Sequence, residues 1–316
     1  MSTALAERVS AASGPQAPSR AGRPGGAARR RRLAPQWFLA PALLFYAIVV
    51  LYPSVAGGYY AFTDWAGGAE ANFIGLDNFR EMLDDQAAVA SLRNTLLIAV
   101  SLTVVQSGLG LLLALALNSA IRARNLLRTL FFAPMMMPPV IVGLLWQYIY
   151  TPGGPLDTAL GALGLGGLVQ SWLGNSDIAL WSIIASVIWH HVGMSMVIFL
   201  AGLQGIPWEL YEAAALDGAG KLRQFLSVTW PLLGQAITIA TALTMTSSLK
   251  LFDQVFVMTG GGPGVSTQTL SLIMYREAFV YGEYGYGSAI ALVLTMIVAF
   301  IVFLQMSITR RGEVDA

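Results

Sequence analysis

The chain has no cysteine, only two histidines, and few charges: Asp, Glu, Lys and Arg together make 11% of its 316 residues. Each shortage excludes something. Without cysteine no disulfide staples a small core, no thiolate holds a metal, and no cysteine nucleophile exists. Two histidines leave little for a metal centre. An ordinary soluble domain is about 25% charged, and a surface this poor in charge would not stay dispersed in water. What is there instead is apolar: hydrophobic residues make up 56% of the chain and mean hydropathy is +0.64. Length alone would predict two soluble domains of ~150 residues, but composition overrides that prior. The chain reads as an integral membrane protein, which excludes a soluble enzyme, a disordered chain and a nucleic-acid binder.

Six apolar stretches, near residues 38–61, 95–117, 129–150, 179–203, 232–257 and 286–308, are long enough to cross a ~30 Å hydrocarbon core. Lipid offers the backbone no hydrogen bonds, so each is expected to be a helix; barrel strands would be far shorter and would alternate. The fold class expected is therefore an all-α membrane protein with six transmembrane helices. Orientation follows the basic residues. One side holds fourteen of them, among them Arg29, Arg30, Arg31, Arg32, Arg122, Arg124, Arg128, Lys221, Arg223, Arg310 and Arg311; the other holds Arg80, Arg93 and Arg276 with most of the acids. Both termini are thus expected in the cytoplasm of a bacterial, multi-pass cytoplasmic-membrane protein. Residues 1–36, rich in Ala, Gly, Pro and Arg, read as a disordered basic tail. Residues 37–93 read as the first span with its following segment, 94–309 as the transmembrane domain, and 310–316 as a short tail.

One connection is too long. Helix links in bundles take about 2–8 residues, yet residues 204–230 form a cytoplasmic stretch that reads GIPWELYEAAALDGAGKLRQFLSVTWP from Gly205 to Pro231. Pro207 suits a first helical turn, and Glu209 and Glu212 favour the positive end of the helix dipole. Ala213, Ala214 and Ala215 are strong helix formers, and Gly218 after Asp217 supplies a left-handed stop. A second short helix, 220–227, is expected next, with Pro231 opening the fifth span. Two short helices with a glycine elbow would offer a small, flat alanine face flanked by carboxylates. An amphipathic helix on the bilayer is the competing reading, but such helices favour Lys and Arg, so a protein partner fits better. Gly218-Ala219-Gly220-Lys221 imitates the end of a phosphate-binding loop. That motif needs Gly where Ala215 stands and Ser or Thr where Leu222 stands.

Glu212-Ala213-Ala214-x-x-Asp217-Gly218-Ala219, with Phe225, Val228 and Pro231, resembles the "EAA" loop of binding-protein-dependent ABC importer permeases in spacing and position between spans. Leu51-Tyr52-Pro53, Phe62-Thr63-Asp64-Trp65, the run from Phe73 to Phe79, Asn94-Thr95 and the run from Met258 to Gly264 are similar to the carbohydrate branch, as in the first permease of a maltose- or glycerol-phosphate-type pair. The resemblance implies a type-I importer fold. It implies no catalysis and no cofactor in this chain, with ATP and Mg bound by two cytoplasmic ATPase subunits. It also implies a second permease, an extracytoplasmic binding protein, a sugar substrate and a lipid surround. Glu212, Ala213, Ala214, Asp217, Gly218 and Ala219 would couple the ATPase to the spans. The maltose permease's extra N-terminal spans and large periplasmic domain are missing here, though the segment from Phe62 to Asn94 is long enough for a small helical cap.

Polar side chains within spans are costly and are functional candidates. Trp189, His190, His191, Thr244 and Ser248 are the candidates for the substrate pathway. By alignment on the loop and on the Gly-Gly-Pro, the resemblance adds Met194, Met135, Pro139 and Val187. Serine and threonine in such helices also bond their own backbone, and adjacent histidines diverge by ~100°, so both cannot line one pocket equally. Lys250 and Asp253 are spaced to pair along one helix face. Met135–Met137 before Pro138-Pro139 mark a broken third span. The alternatives are an ion-coupled secondary transporter, which would leave the 204–230 loop unexplained, and a permease of the same kind for a polyol or glycerol phosphoester. An intramembrane enzyme lacks any nucleophile–base or metal-ligand pattern in the spans.

Overall fold

The computed structural model describes residues 36–119 and 122–313. The expected disorder of residues 1–36 thus lies outside the described residues except for Gln36. The chain divides into two units, Met1–Val50 and Leu51–Ala316. In the first, the described residues are helical and turn nearly every side chain outward, as an apolar helix in lipid does.

In chain order the helices are α1 (Ala40–Tyr60), α2 (Asp77–Asp84), α3 (Gln86–Leu117), α4 (Arg124–Met136), α5 (Pro139–Ile149), α6 (Pro155–Ala162), α7 (Ala179–Gln204), α8 (Trp208–Leu216), α9 (Lys221–Leu232), α10 (Gly234–Leu249), α11 (Asp253–Met258), α12 (Leu270–Tyr275) and α13 (Tyr284–Glu313). Among the described residues there is no strand beyond one antiparallel bridge, Thr63 to Phe73. α1, α3, α7 and α13 are each long and apolar enough to span a membrane; the bent pairs α4–α5 and α9–α10 bring the number to six.

The third span is broken as its prolines require. Met137 is extended (ψ 141°) and α5 leaves α4 at 100°, because Pro138 and Pro139 offer no N–H and the residue before a proline avoids helical geometry. The fifth span departs from the sequence expectation at both ends. Helix begins at Lys221 and runs through Pro231 to a 65° bend at Leu233, so Pro231 does not open the span; it removes a donor two residues before the bend. At the other end the helix stops at Leu249 instead of continuing to residue 257. Lys250 and Leu251 close tight turns onto Ser247 and Ser248, and the Thr269 hydroxyl donates to the Leu251 carbonyl at 3.1 Å. A partner 18 residues away holds that turned-out carbonyl, beyond the reach of any local pattern.

α7 is the central helix: 61% of its apolar window is buried, against 22% for α13. Helices approach it on glycine. A Cβ at Gly110 of α3 would lie 2.5 Å from the Ser195 Cβ, and one at Gly193 of α7 would collide with the Phe131 carbonyl of α4. Close backbone approach through small residues is the usual packing device between membrane helices. One apolar core gathers Leu117, Phe199, Leu203 and Leu233 at the end of the bundle near α8; another gathers Ile98, Ile183, Val255 and Leu272 at the opposite end.

At that opposite end the Asn and Thr residues singled out in the sequence pin loops. Asn94 donates its amide to the Val265 and Gln268 carbonyls (3.1 and 3.0 Å), while Thr95 Oγ1 accepts from the Leu270 N–H (3.0 Å). Asn78, in α2, donates to the carbonyls of Ala61 and Thr63 (both 2.9 Å). The segment after α1 is therefore folded by a short helix and a bridge.

A polar cavity and an exposed helical elbow

α8 starts after Pro207 and ends in a Schellman cap. The Gly218 N–H donates to the Ala215 carbonyl (3.0 Å), the Ala219 N–H donates to the Ala214 carbonyl (2.9 Å), and Gly218 has φ +77°. These two bonds satisfy carbonyls the helix end would orphan, and only glycine adopts that conformation freely. The Ala-Ala-x-x-Asp-Gly-Ala pattern is thus the sequence of one helix terminus. No residue of α8 is buried, and Leu216 is 89% exposed. Glu212, Ala213, Asp217 and Gly218 all face outward, with Ala214 and Ala219 half-buried against one another's turn. Glu212 accepts from Trp208 Nε1 at 2.8 Å. The elbow is tied to the bundle by Tyr211 Oη and Thr229 Oγ1, 3.0 Å apart, and by Gln224 Nε2, which donates to the Ala219 carbonyl at 2.9 Å.

The second feature lies where the broken spans meet α3 and α7. A cavity of about 170 Å³ is lined by Gln106, Pro139, His191, Thr244, Ser248 and Lys250, with apolar wall from Leu102, Val187 and Leu251. Leu102 and Gln106 bound a widened π turn in α3, a geometry that often marks functional sites. Gln106 Nε2 lies 3.1 Å from Ser195 Oγ and 3.3 Å from Thr244 Oγ1, joining α3, α7 and α10. The Nδ1–H of His191 donates to the Val187 carbonyl (3.1 Å), so in the neutral ring Nε2 is the acceptor.

Of the candidate pathway residues, the structure brings His191, Thr244 and Ser248 together at this cavity, with Val187 and Pro139 beside them. Trp189 turns away to meet Trp146 edge-on at 5.6 Å, and Met194 is not in the lining. His190 is 1% exposed and stands behind the wall, bonded to Met137 and Gln254. Lys250 and Asp253 both line the cavity but do not pair: among the described residues the only ion pair is Arg80 with Asp77, at 2.7 Å. The helix break between them removes the shared face that their spacing suggested. Gln106 and Gln254 escaped the sequence reading. Gln106 carried a usable signal, as a lone amide in the apolar run around Leu102–Leu111.

A helical, polytopic membrane protein with two broken spans around a polar cavity and a capped helix standing free at one end is a transporter architecture. Residues 106–311 match the binding-protein-dependent transport system inner membrane component family, and the chain belongs to it. It is a multi-pass protein of the cytoplasmic membrane. Among its relatives are the probable starch degradation products transport system permease protein AmyD of Thermoanaerobacterium thermosulfurigenes, 37% identical over 88% of this chain and 94% of that protein. The diacetylchitobiose uptake system permease protein NgcF of Streptomyces coelicolor is 35% identical over 95% of this chain and 90% of its own length. A subunit of a bacterial ABC transporter that imports the acidic polysaccharide alginate superposes with a TM-score of 0.77 over 87% of this chain and 96% of its own, at 22% identity. The ion-coupled alternative does not survive the family membership.

Proposed function

We propose that this chain is a permease subunit of an ATP-driven importer for a sugar or oligosaccharide, working by alternating access. The observation that carries the reading is family membership together with relatives whose names concern starch products, multiple sugars and diacetylchitobiose. The cavity chemistry agrees: a carboxamide, an imidazole acceptor, hydroxyls, an ammonium and a carboxylate beside apolar wall suit a ring with apolar faces and polar edges. On this reading His191, Thr244, Ser248 and Gln106 contact solute in transit, while Trp189, His190 and Met194 stand outside the lining.

The elbow is the docking face for a separate ATPase that binds ATP and Mg. Glu212 and Asp217 offer charge, Ala213 and Ala214 allow close approach, and Gly218 with Ala219 forms the bend. The basic asymmetry puts this end and both termini in the cytoplasm. A second permease completes the pathway, and an extracytoplasmic binding protein delivers the solute; a relative of this fold has been solved with an alginate-loaded periplasmic protein.

Uptake of labelled sugars by cells with and without the gene tests the reading, with Glu212→Lys and Gly218→Arg strains matched for membrane level. Loss of uptake of one sugar, with both variants inserted and inactive, supports it. Unchanged uptake across the sugars, with loss of a polyol or phosphoester, moves the substrate class. Full activity of both variants overturns the docking role of the elbow.

A further inference from the structure

His190 is a buried titratable group that the transport reading leaves without a task. Its Nε2 lies 3.1 Å from the Met137 carbonyl and its Nδ1 lies 3.2 Å from Gln254 Nε2. A carbonyl only accepts, so Nε2 carries the proton and Nδ1 accepts from the Gln254 amide. The ring is thus neutral and its tautomer is set by its two partners. Those partners sit at the two chain breaks. Met137 is the last residue before Pro138 and Pro139, where no N–H is available to its own strand of chain, and Gln254 is the second residue of α11, just after the Lys250–Phe252 break. One imidazole on α7 therefore joins both broken spans. Beyond it α5 and α11 lie in direct contact: a Cβ at Gly143 would sit 3.2 Å from the Val257 Cβ and 3.7 Å from the Gln254 Cα. Pro139 and Gln254 also line the cavity, so the junction belongs to its wall.

We propose that His190 is a positioning residue that rivets the two broken spans together on one side of the pathway. α5 and α11 then separate only when Met137 or Gln254 releases the ring. The proposal rests on reading the cavity as the translocation pathway, and the experiment distinguishes the two. Because the chain has no cysteine, Gly143→Cys with Val257→Cys would supply its only thiols, and their separation is close to the ~3.5–4.5 Å between Cβ atoms that a disulfide needs.

The assay uses the complete transporter, with its partner subunits, in proteoliposomes. If oxidation of the pair stops uptake and a reductant restores it, α5 and α11 move during transport and the pathway reading stands. If uptake continues with the pair oxidised, the pathway reading fails. The rivet is read separately, as the rate of cross-linking in the resting complex. His190→Leu and Gln254→Leu are each expected to slow it about fivefold, as loss of one buried hydrogen bond supports. Gln254→Leu leaves the imidazole in place and so excludes an effect of ring volume. His190→Gln, whose amide nitrogen reaches the Nε2 position, keeps the Met137 bond and is expected to restore most of the rate. Cross-linking within about twofold of the parent in both leucine variants, or a glutamine variant as slow as leucine, would overturn the proposal.

Discussion

Gly193 is the sharpest test of the packing around α7. A methyl group there would meet the Phe131 carbonyl oxygen, with the Phe132 Cα at 2.8 Å and the Phe131 carbonyl carbon at 2.9 Å. All three atoms are backbone, so no side chain can swing aside; the Phe131 oxygen is the nearest of them, and α4 must move off α7 by about 1 Å to restore ordinary contact with it. Overpacking of this kind costs about 1–3 kcal/mol, and a rigid neighbour places Gly193→Ala in the upper half. Replacing glycine inside a helix also recovers up to about 1 kcal/mol of propensity, which would hide part of the loss. Gly108, inside α3, removes that ambiguity, because a Cβ there meets nothing within 4 Å. The propensity gain is common to both variants, so the difference between Gly193→Ala and Gly108→Ala isolates the clash at about 2–3 kcal/mol. At roughly 2 °C per kcal/mol, the low end of the range for domains of about 150–250 residues, Gly193→Ala is expected to melt about 4 °C or more below Gly108→Ala. The assay is thermal unfolding in mild detergent, followed by circular dichroism. Equal midpoints, or a higher one for Gly193→Ala, would refute the tight crossing.

Two further outcomes follow from the loops. Asn94→Leu removes both amide bonds to the Val265 and Gln268 carbonyls; at about 1–3 kcal/mol per buried group left unpaired, hydrogen exchange of residues 260–270 is expected to rise at least about tenfold, and unchanged protection would contradict the pinning role. Glu277 lies outside the spans, and its carboxyl is held above the ordinary range by burial first and then by the carboxylates of Asp85, Glu81 and Glu283. Its folded form holds the proton more tightly than its unfolded form. Its contribution is therefore favourable below the unfolded value and is lost as pH rises through the folded one. Glu277→Gln is expected to raise the midpoint at neutral pH and flatten its fall above pH 4.5; a variant with the parent's pH profile would contradict the upward shift that burial and the nearby acids impose.

The membrane class, six spans and the elbow were legible in the sequence because each is written in local physics. Spans are runs of apolar residues; the α8 terminus is a glycine that must be left-handed; the broken third span is a pair of prolines that cannot donate. The family resemblance was legible for the same reason, since its motif is largely a helix cap. Span ends were less so. α10 stops where Thr269 captures the Leu251 carbonyl, and nothing between residues 240 and 260 announces that. The histidine pair shows the limit most clearly. Helical spacing says that His190 and His191 diverge, but which of them meets the cavity depends on where Met137 and Gln254 arrive, 53 and 64 residues away. Composition and periodicity determined what this protein is made of and which solvent it lives in. The tertiary fold alone decided which polar groups satisfy one another and which remain to meet a solute, because a hydrogen bond inside a bilayer is settled by whichever partner the packing brings within 3 Å.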